Sequence, residues 1–308
     1  MKKTLIYLAT LCATMAFTAC SSDDGGYNPP APVVSNKSIV NVEPLSLIFD
    51  QIAAPFREIV FSETGKAVIG PLARPLADSK RRIQGDGETY IIGTFKTNDN
   101  TYTVYDEEGK EYCTLVVESK TGKTTTVQIR MKSGSEIEET VFEGEASIGE
   151  KVPVDAITTT LCREWTVAST RLRHYDGVTA VKHFENAVEA ASLNAILDYA
   201  KSVASIDESF DPDMTITSIE FISTGTFCIY FKNKEHYIGK WAWTDKDNGY
   251  IHYSWNDANM GNSFENGEAV FDIRKFQKVN YYTLTLGAEI TSGGKTYQIE
   301  LSFYLNEK

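Results

Sequence analysis

Over most of the chain, apolar and polar residues alternate with a period of two, in short runs separated by Gly, Asn and Asp. That period places successive side chains on opposite faces of an extended strand, so the pattern predicts many short antiparallel strands joined by turns. The last run is the clearest. Tyr297, Ile299, Leu301, Phe303 and Leu305 fall on one face, and Gln298, Glu300 and Ser302 on the other, as expected of a strand with one buried and one wet side. The same alternation marks Trp165–Val167, Ile219–Phe221, Phe227–Phe231, Tyr237–Trp243, Ile251–Trp255, Ala269–Ile273 and Tyr282–Ile290. Eight antiparallel strands with mostly short connections suit an up-and-down barrel, because closure removes the exposed edges of an open sheet.

The pattern repeats. Arg57–Ile69 (REIVFSETGKAVI) matches Thr217–Ile229 (TSIEFISTGTFCI) at Ile59/Ile219, Phe61/Phe221, Thr64/Thr224, Gly65/Gly225 and Ile69/Ile229. In each copy Thr-Gly separates two alternating segments, which reads as a hairpin turn with Gly supplying φ > 0. Further on, Ile92-Gly93-Thr94-Phe95 echoes Ile238-Gly239-Lys240-Trp241, and Asn100, Tyr102 and Tyr105 echo Asn248, Tyr250 and Tyr253 in the same order. A duplicated β domain follows. The expected division is a first domain over 37–148 and a second over 155–308, with limited proteolysis cutting near Gly149 to Val154. The shorter strands of the first half suggest an incomplete barrel or a sandwich. Each half also shows one helical spacing: Leu45, Ile48, Phe49, Ile52 and Phe56 in the first, with Pro44 at the start and Pro55 near the end, and Leu193, Ile196, Leu197, Ala200, Val203 and Ala204 in the second.

The N-terminus has a different grammar. Lys2 and Lys3, an apolar stretch from Leu5 to Phe17 and then Thr18-Ala19-Cys20 form the three parts of an export signal, too short to span a bilayer. A Cys directly after small residues resembles a bacterial lipoprotein signal, with Phe17 where Leu is commonest. The resemblance implies removal of residues 1–19 and lipidation of Cys20, which would anchor the mature chain to the outer membrane. Residues 20–36 then form a tether. Ser21-Ser22-Asp23-Asp24-Gly25-Gly26 resembles the acidic export tag of surface lipoproteins in gut-dwelling Gram-negative anaerobes, implying display on the cell exterior, and Pro29, Pro30 and Pro32 make an extended spacer.

Composition narrows the partners. Of 308 residues, 42% are hydrophobic, and 42 acidic residues outweigh 30 basic ones, giving a formal net charge of −12 that loss of Lys2 and Lys3 makes more negative still. Nucleic acid is therefore a poor partner. Five cysteines are present; setting aside Cys12 in the leader and Cys20 leaves Cys113, Cys162 and Cys228 among apolar neighbours, read as buried thiols, with a Cys162–Cys228 bridge the alternative. His174, His183, His236 and His252 are scattered without metal-ligand spacing, so no metal is expected. No nucleophile elbow or phosphate loop occurs, and no cofactor is implied. The acidic pairs Asp245/Asp247 and Asp211/Asp213 lie in Gly, Asn and Pro-flanked stretches suited to turns.

All four tryptophans lie in the second half. Alternation puts Trp241 and Trp243 on one face of their strand and Tyr253 and Trp255 on one face of the next, and their apolarity points these faces inward. A ligand in the barrel would meet Trp241, Trp243, Tyr253 and Trp255. With Leu161-Cys162-Arg163-Glu164-Trp165 opening the first strand and Ser223-Thr224-Gly225-Thr226-Phe227 and Gly239-Lys240-Trp241-Ala242-Trp243 following, the second half resembles the lipocalin-like domains of those surface lipoproteins, with Arg163 where lipocalins carry the Gly of Gly-x-Trp. Alternation and repeat give a mostly β fold of two tandem antiparallel domains, and the resemblance implies that the C-terminal one is an eight-stranded lipocalin-like up-and-down barrel with an inserted helix. Anchor, tether and aromatic barrel together point to a non-catalytic protein that binds a small hydrophobic or glycan ligand; the alternatives are a structural or protein-interaction module with filled barrels and, behind it, a hydrolase.

Replacing Cys20 by Ala should release the protein from membranes in cell fractionation. Replacing Asp23 and Asp24 by Ala should leave it anchored but shielded from external protease. Membrane attachment that survives loss of Cys20 would sink the anchor.

Overall fold

Alternating strands gain when sheet edges are paired, and both halves of the chain close a barrel. The computed structural model describes residues 43–51, 53–72, 83–84, 88–132, 141–176, 179–186, 215–255, 267–272, 282–292 and 295–307. The leader, Cys20, the tether, the helix expected at Leu193–Ala204 and the pair Asp211/Asp213 lie outside them. The protein is mostly β and forms two tandem closed antiparallel barrels of eight strands each.

The first unit runs in chain order through β1 (Leu45–Ile48), β2 (Phe56–Phe61), β3 (Lys66–Leu72), the short pair β4 (Ile83–Gln84) and β5 (Glu88–Thr89), β6 (Ile91–Asn98), β7 (Thr101–Tyr105), β8 (Glu111–Thr121), β9 (Thr124–Met131) and β10 (Val141–Ile148). Its barrel has the order β1-β10-β9-β8-β7-β6-β3-β2. It is neither a sandwich nor an incomplete barrel, because β1 hydrogen-bonds on both sides: Leu47 stands opposite Ile148 of β10 and Ile59 of β2. This also corrects the expected first helix. Leu45, Leu47 and Phe49 are buried while Ile48 is 39% exposed, a period of two and not of 3.6. The helical spacing of Leu45, Ile48, Phe49 and Phe56 was fortuitous; closing the ladder required a strand there, and tertiary pairing overrode local pattern. Inside, Phe49 meets Phe56 and Phe142 edge-on at 5.5 and 6.0 Å, and Phe61 contacts Phe95 at 4.7 Å and stacks on Tyr102 at 4.4 Å.

A short helix, α1 (Ala156–Leu161), absent from the sequence reading, follows; Asp155 caps it by accepting the Thr158 N–H at 2.8 Å. The chain divides into two compact units: residues 36–163, which include α1, with the turn 222–226, and residues 164–221 with 227–308.

The second unit holds β11 (Glu164–Asp176), β12 (Thr179–Asn186), β13 (Ile216–Ile222), β14 (Thr226–Phe231), β15 (His236–Asp245), β16 (Tyr250–Trp255), β17 (Gly267–Asp272), β18 (Tyr282–Ser292) and β19 (Lys295–Glu307). The eight strands read from the alternation are all here. Pairing of β11 with β19, from Trp165↔Glu307 to Tyr175↔Gln298, closes the barrel. The strand that reading missed is β12, which pairs with β11 from Thr170 to Asp176, whereas β13 pairs with it only from Glu164 to Thr166.

The repeated motifs fall on equivalent strands. Thr64-Gly65 turns between the second and third barrel strands, β2 and β3, and Thr224-Gly225 between β13 and β14, the second and third of the other barrel. Both glycines have positive φ, 84° and 78°, which a residue with a Cβ resists, and each donates its N–H three residues back, to Ser62 and Ile222. Phe95 and Trp241 both sit on the fourth strand, and each meets the matched Phe of the second strand edge-on: Phe61–Phe95 at 4.7 Å and Phe221–Trp241 at 5.6 Å. The matched aromatic positions, Phe61/Phe221 and Phe95/Trp241, are therefore core positions.

One expectation of the alternation fails at both hairpins. In β13 the face read as wet, with Ser218, Glu220 and Ile222, is as buried as the face with Ile219 and Phe221, and in β2–β3 Val60, Ser62 and Val68 are buried opposite Ile59 and Ile69. Period two assigns a residue to a face but says nothing of what covers that face.

Cys113, fully buried in the first barrel, has its thiol pushed up to about 12 from the ordinary 9.0, first by burial and then by the Glu111 carboxylate. The folded state thus holds this proton more tightly than the unfolded chain. Its contribution to stability is complete below about pH 9 and is lost as pH climbs towards 12. Denaturant titrations across that interval should show a steeper loss for the wild-type chain than for Cys113→Ala; equal slopes would contradict the assignment.

Candidate functional site in the second barrel

The β15–β16 hairpin brings the expected residues side by side. Gly239 stands opposite Trp255, Trp241 opposite Tyr253 and Trp243 opposite Ile251, so alternation and register put all of them on one face. The hairpin is sharply turned. Asp245 accepts the Asn248 backbone N–H at 3.2 Å and its side-chain amide at 2.8 Å, and these bonds hold the Asp245 carboxyl below the usual carboxylate range. The Asp245/Asp247 pair is thus turn chemistry. Gly249 completes the turn at φ 76°, where a Cβ would lie 2.2 Å from the Phe271 carbonyl oxygen.

The four residues do not share one environment. Trp241 is 3% and Tyr253 5% exposed, enclosed among rings: Trp241 meets Phe221 at 5.6 Å and Tyr253 meets Phe227 at 6.3 Å, both edge-on. Trp243 is half-buried and contacts Trp241 edge-on at 5.6 Å. For Trp255 the backbone position opposite Gly239 is described and the side chain is not. Elsewhere in the same barrel Trp165, fully buried, lies 4.6 Å from Tyr282 and 5.6 Å from Phe271, and those two rings stack at an interplanar angle of 2°. Rings therefore fill much of this interior, as the size of an eight-stranded barrel favours. What the file can do chemically is offer the uncovered part of the Trp243 indole for stacking, held in place by Trp241.

A polar cluster lies on the opposite face of the sheet. Glu164 and Glu220 are direct partners across β11 and β13. Ser218 Oγ donates to Glu164 Oε1 at 2.7 Å, and the Tyr230 hydroxyl donates to Glu220 Oε2 at 2.6 Å. Burial, and next the Glu220 charge, push the Tyr230 hydroxyl well above its ordinary range. His236, buried, stands with its ring 5.9 Å from that of Tyr230. The sequence pattern missed these residues because Ser218 and Glu220 occupy the apparent wet face of β13; nothing local marks them as covered. Two carboxyls meet here, Glu220 at 0% exposure and Glu164 half-buried.

Among the described residues, no group of three or more His, Cys, Asp and Glu is placed to hold a metal ion. Cys113, Cys162 and Cys228 are buried thiols and no bridge joins Cys162 to Cys228. Burial, then Glu63, push the Cys162 thiol well up, with Arg163 opposing.

No family model and no curated protein matches the chain. Among solved structures it is similar to a double mutant of the vaccine antigen transferrin binding protein B from Haemophilus parasuis Hp5, with 11% identity and a TM-score of 0.20, over 86% of this chain and 45% of that one. The chain thus spans less than half the length of that protein.

Different burial predicts different mutational costs. Trp241→Ala should cost about 3–5 kcal/mol, as deletion of a core ring does. Trp243→Ala, with part of its surface already in water, should cost clearly less. Denaturant midpoints of the two variants measure this, and equal losses would place Trp243 in the core.

Proposed function

We propose that the protein is a non-catalytic lipoprotein, anchored to the outer membrane through lipidated Cys20, displayed on the cell exterior, and binding an apolar or carbohydrate ligand through its C-terminal barrel. The observation that carries the binding reading is Trp243: an indole on the inward face of a strand, half-buried, and braced edge-on by the buried Trp241 at 5.6 Å. A ring held in this way stacks on the apolar face of a sugar or against an acyl chain with little ordering to lose, for roughly 1 kcal/mol beyond area burial. Trp241 and Tyr253, both sealed in the core, support that platform instead of touching the ligand, and Trp255 stands next in the register beside Gly239.

A second reading has its own support. The buried Trp165 tilted against the stacked pair Phe271 and Tyr282, together with the enclosed Trp241 and Tyr253, favours a barrel filled by its own side chains and a protein that works as a structural or protein-interaction module.

Native mass spectrometry of the protein lacking residues 1–36, followed by tryptophan-fluorescence titration with fatty acids and with linear oligosaccharides, separates the two. A retained or added small molecule whose binding is lost in Trp243→Ala, at a nearly unchanged melting temperature, supports the ligand reading. Absence of any bound mass and of any fluorescence response supports the filled barrel.

A further inference from the structure

The first barrel also has a ring at its rim. In the β6–β7 hairpin Phe95 stands opposite Val104 and Thr97 opposite Tyr102, and Asp99 turns the chain with a φ of 54°. Directly opposed residues share a face. Phe95 and Val104 are buried in the core, so Thr97 and Tyr102, one rung nearer the turn, lie on the same face at the end of the barrel. Burial runs out over that one rung: Thr97 is exposed and Tyr102 is half-buried. Tyr102 stacks on the fully buried Phe61 at 4.4 Å with 26° between the planes, and its ring stands 6.0 Å from that of Phe95.

Charged groups stand beside this ring. Glu43, just ahead of β1, accepts a hydrogen bond from Lys151 Nζ at 2.6 Å, and its side chain is 79% exposed. Burial first, and then the Glu43 carboxylate, push the Tyr102 hydroxyl up, so it keeps its proton at neutral pH and remains a donor. The second barrel has a ring at the equivalent rung. Beyond the matched pair Phe221 and Trp241 comes the rung Trp243↔Ile251, with Trp243 half-buried; beyond Phe61 and Phe95 comes the rung Thr97↔Tyr102. The two rings occupy opposite strands of their hairpins, so neither is a copy of the other left by duplication.

We propose that this rim of the first barrel is a further ligand site and that it takes a sugar, with Tyr102 stacked on the apolar face of a pyranose ring and Glu43 and Lys151 hydrogen-bonded to its hydroxyls. The ion pair selects the class. An acyl chain laid on Tyr102 would strip water from the carboxylate and the ammonium and return no hydrogen bond. Sugar hydroxyls donate to the one and accept from the other. All the groups named lie in the first unit, so the site does not rest on Trp243.

All four tryptophans lie in the second half, so indole fluorescence does not report on this rim; calorimetry and hydrogen exchange do. Titration of the mature full chain with maltohexaose, cellohexaose and xylohexaose should show binding of at least one, with slowed amide exchange across 95–104. Tyr102→Ala should weaken that binding about tenfold, the worth of one well-placed ring. Tyr102→Phe, which keeps the ring, should retain most of it. Glu43→Gln alters an exposed side chain and should weaken binding at an unchanged melting temperature, while Trp243→Ala should leave the protection at 95–104 intact. No binding of any of these sugars, equal affinity in the wild-type and Tyr102→Ala chains, or protection confined to the second unit would overturn the site. Dodecanoate that protects 95–104 where the sugars do not would overturn the choice of ligand.

Discussion

Closure of the hydrogen-bond ladder is the constraint on which both halves of this protein depend. An antiparallel sheet of eight strands left open exposes two rows of backbone donors and acceptors. In the first half a four-residue strand, β1, removes both rows by pairing with β2 and β10 at once. In the second, β11 does so over a longer ladder with β19. Everything inside follows from the closed wall: once the strands curve round, alternate side chains converge on an axis and must fill it, and Phe, Tyr and Trp do so at low entropic cost per area buried.

The two fillings differ at matched positions. Matched positions on the second and fourth strands carry Phe61 and Phe95 in the first barrel and Phe221 and Trp241 in the second. The larger indole carries the edge-on contact on to a further ring, Trp243, which is only half-buried. The edge-on contacts of this core thus run on along one strand to a ring that is partly in water. The wall itself is also elaborated. Glu164, Ser218, Glu220 and Tyr230 form hydrogen-bonded pairs on the far face of the same sheet, so this barrel has polar groups to satisfy as well as apolar area to bury. Leaving any of them unpaired there would cost more than each bond contributes.

β11 does two things along its length. Its first residues hold β13 in the barrel, and its later ones hold β12. The sheet therefore changes neighbour part-way along a strand.

The alternation along the chain was sufficient to determine the β class, the eight barrel strands of the second half, the duplicated Thr-Gly hairpins and the shared face of Trp241, Trp243, Tyr253 and Trp255, because side-chain direction in a strand is a local property of the backbone. Burial of Cys113, Cys162 and Cys228 was legible for a similar reason, from their apolar neighbours. Only the tertiary structure decided the rest. Leu45 to Phe56 has helical spacing yet supplies the closing strand, since the need for a ladder partner lies in residues far along the chain. Glu220 alternates as if wet yet is fully buried, and Trp241 and Trp243, identical in type and two residues apart, differ in exposure. Period two sorts residues between faces; how deeply a face is covered depends on elements distant in sequence, and that information is held in the packing.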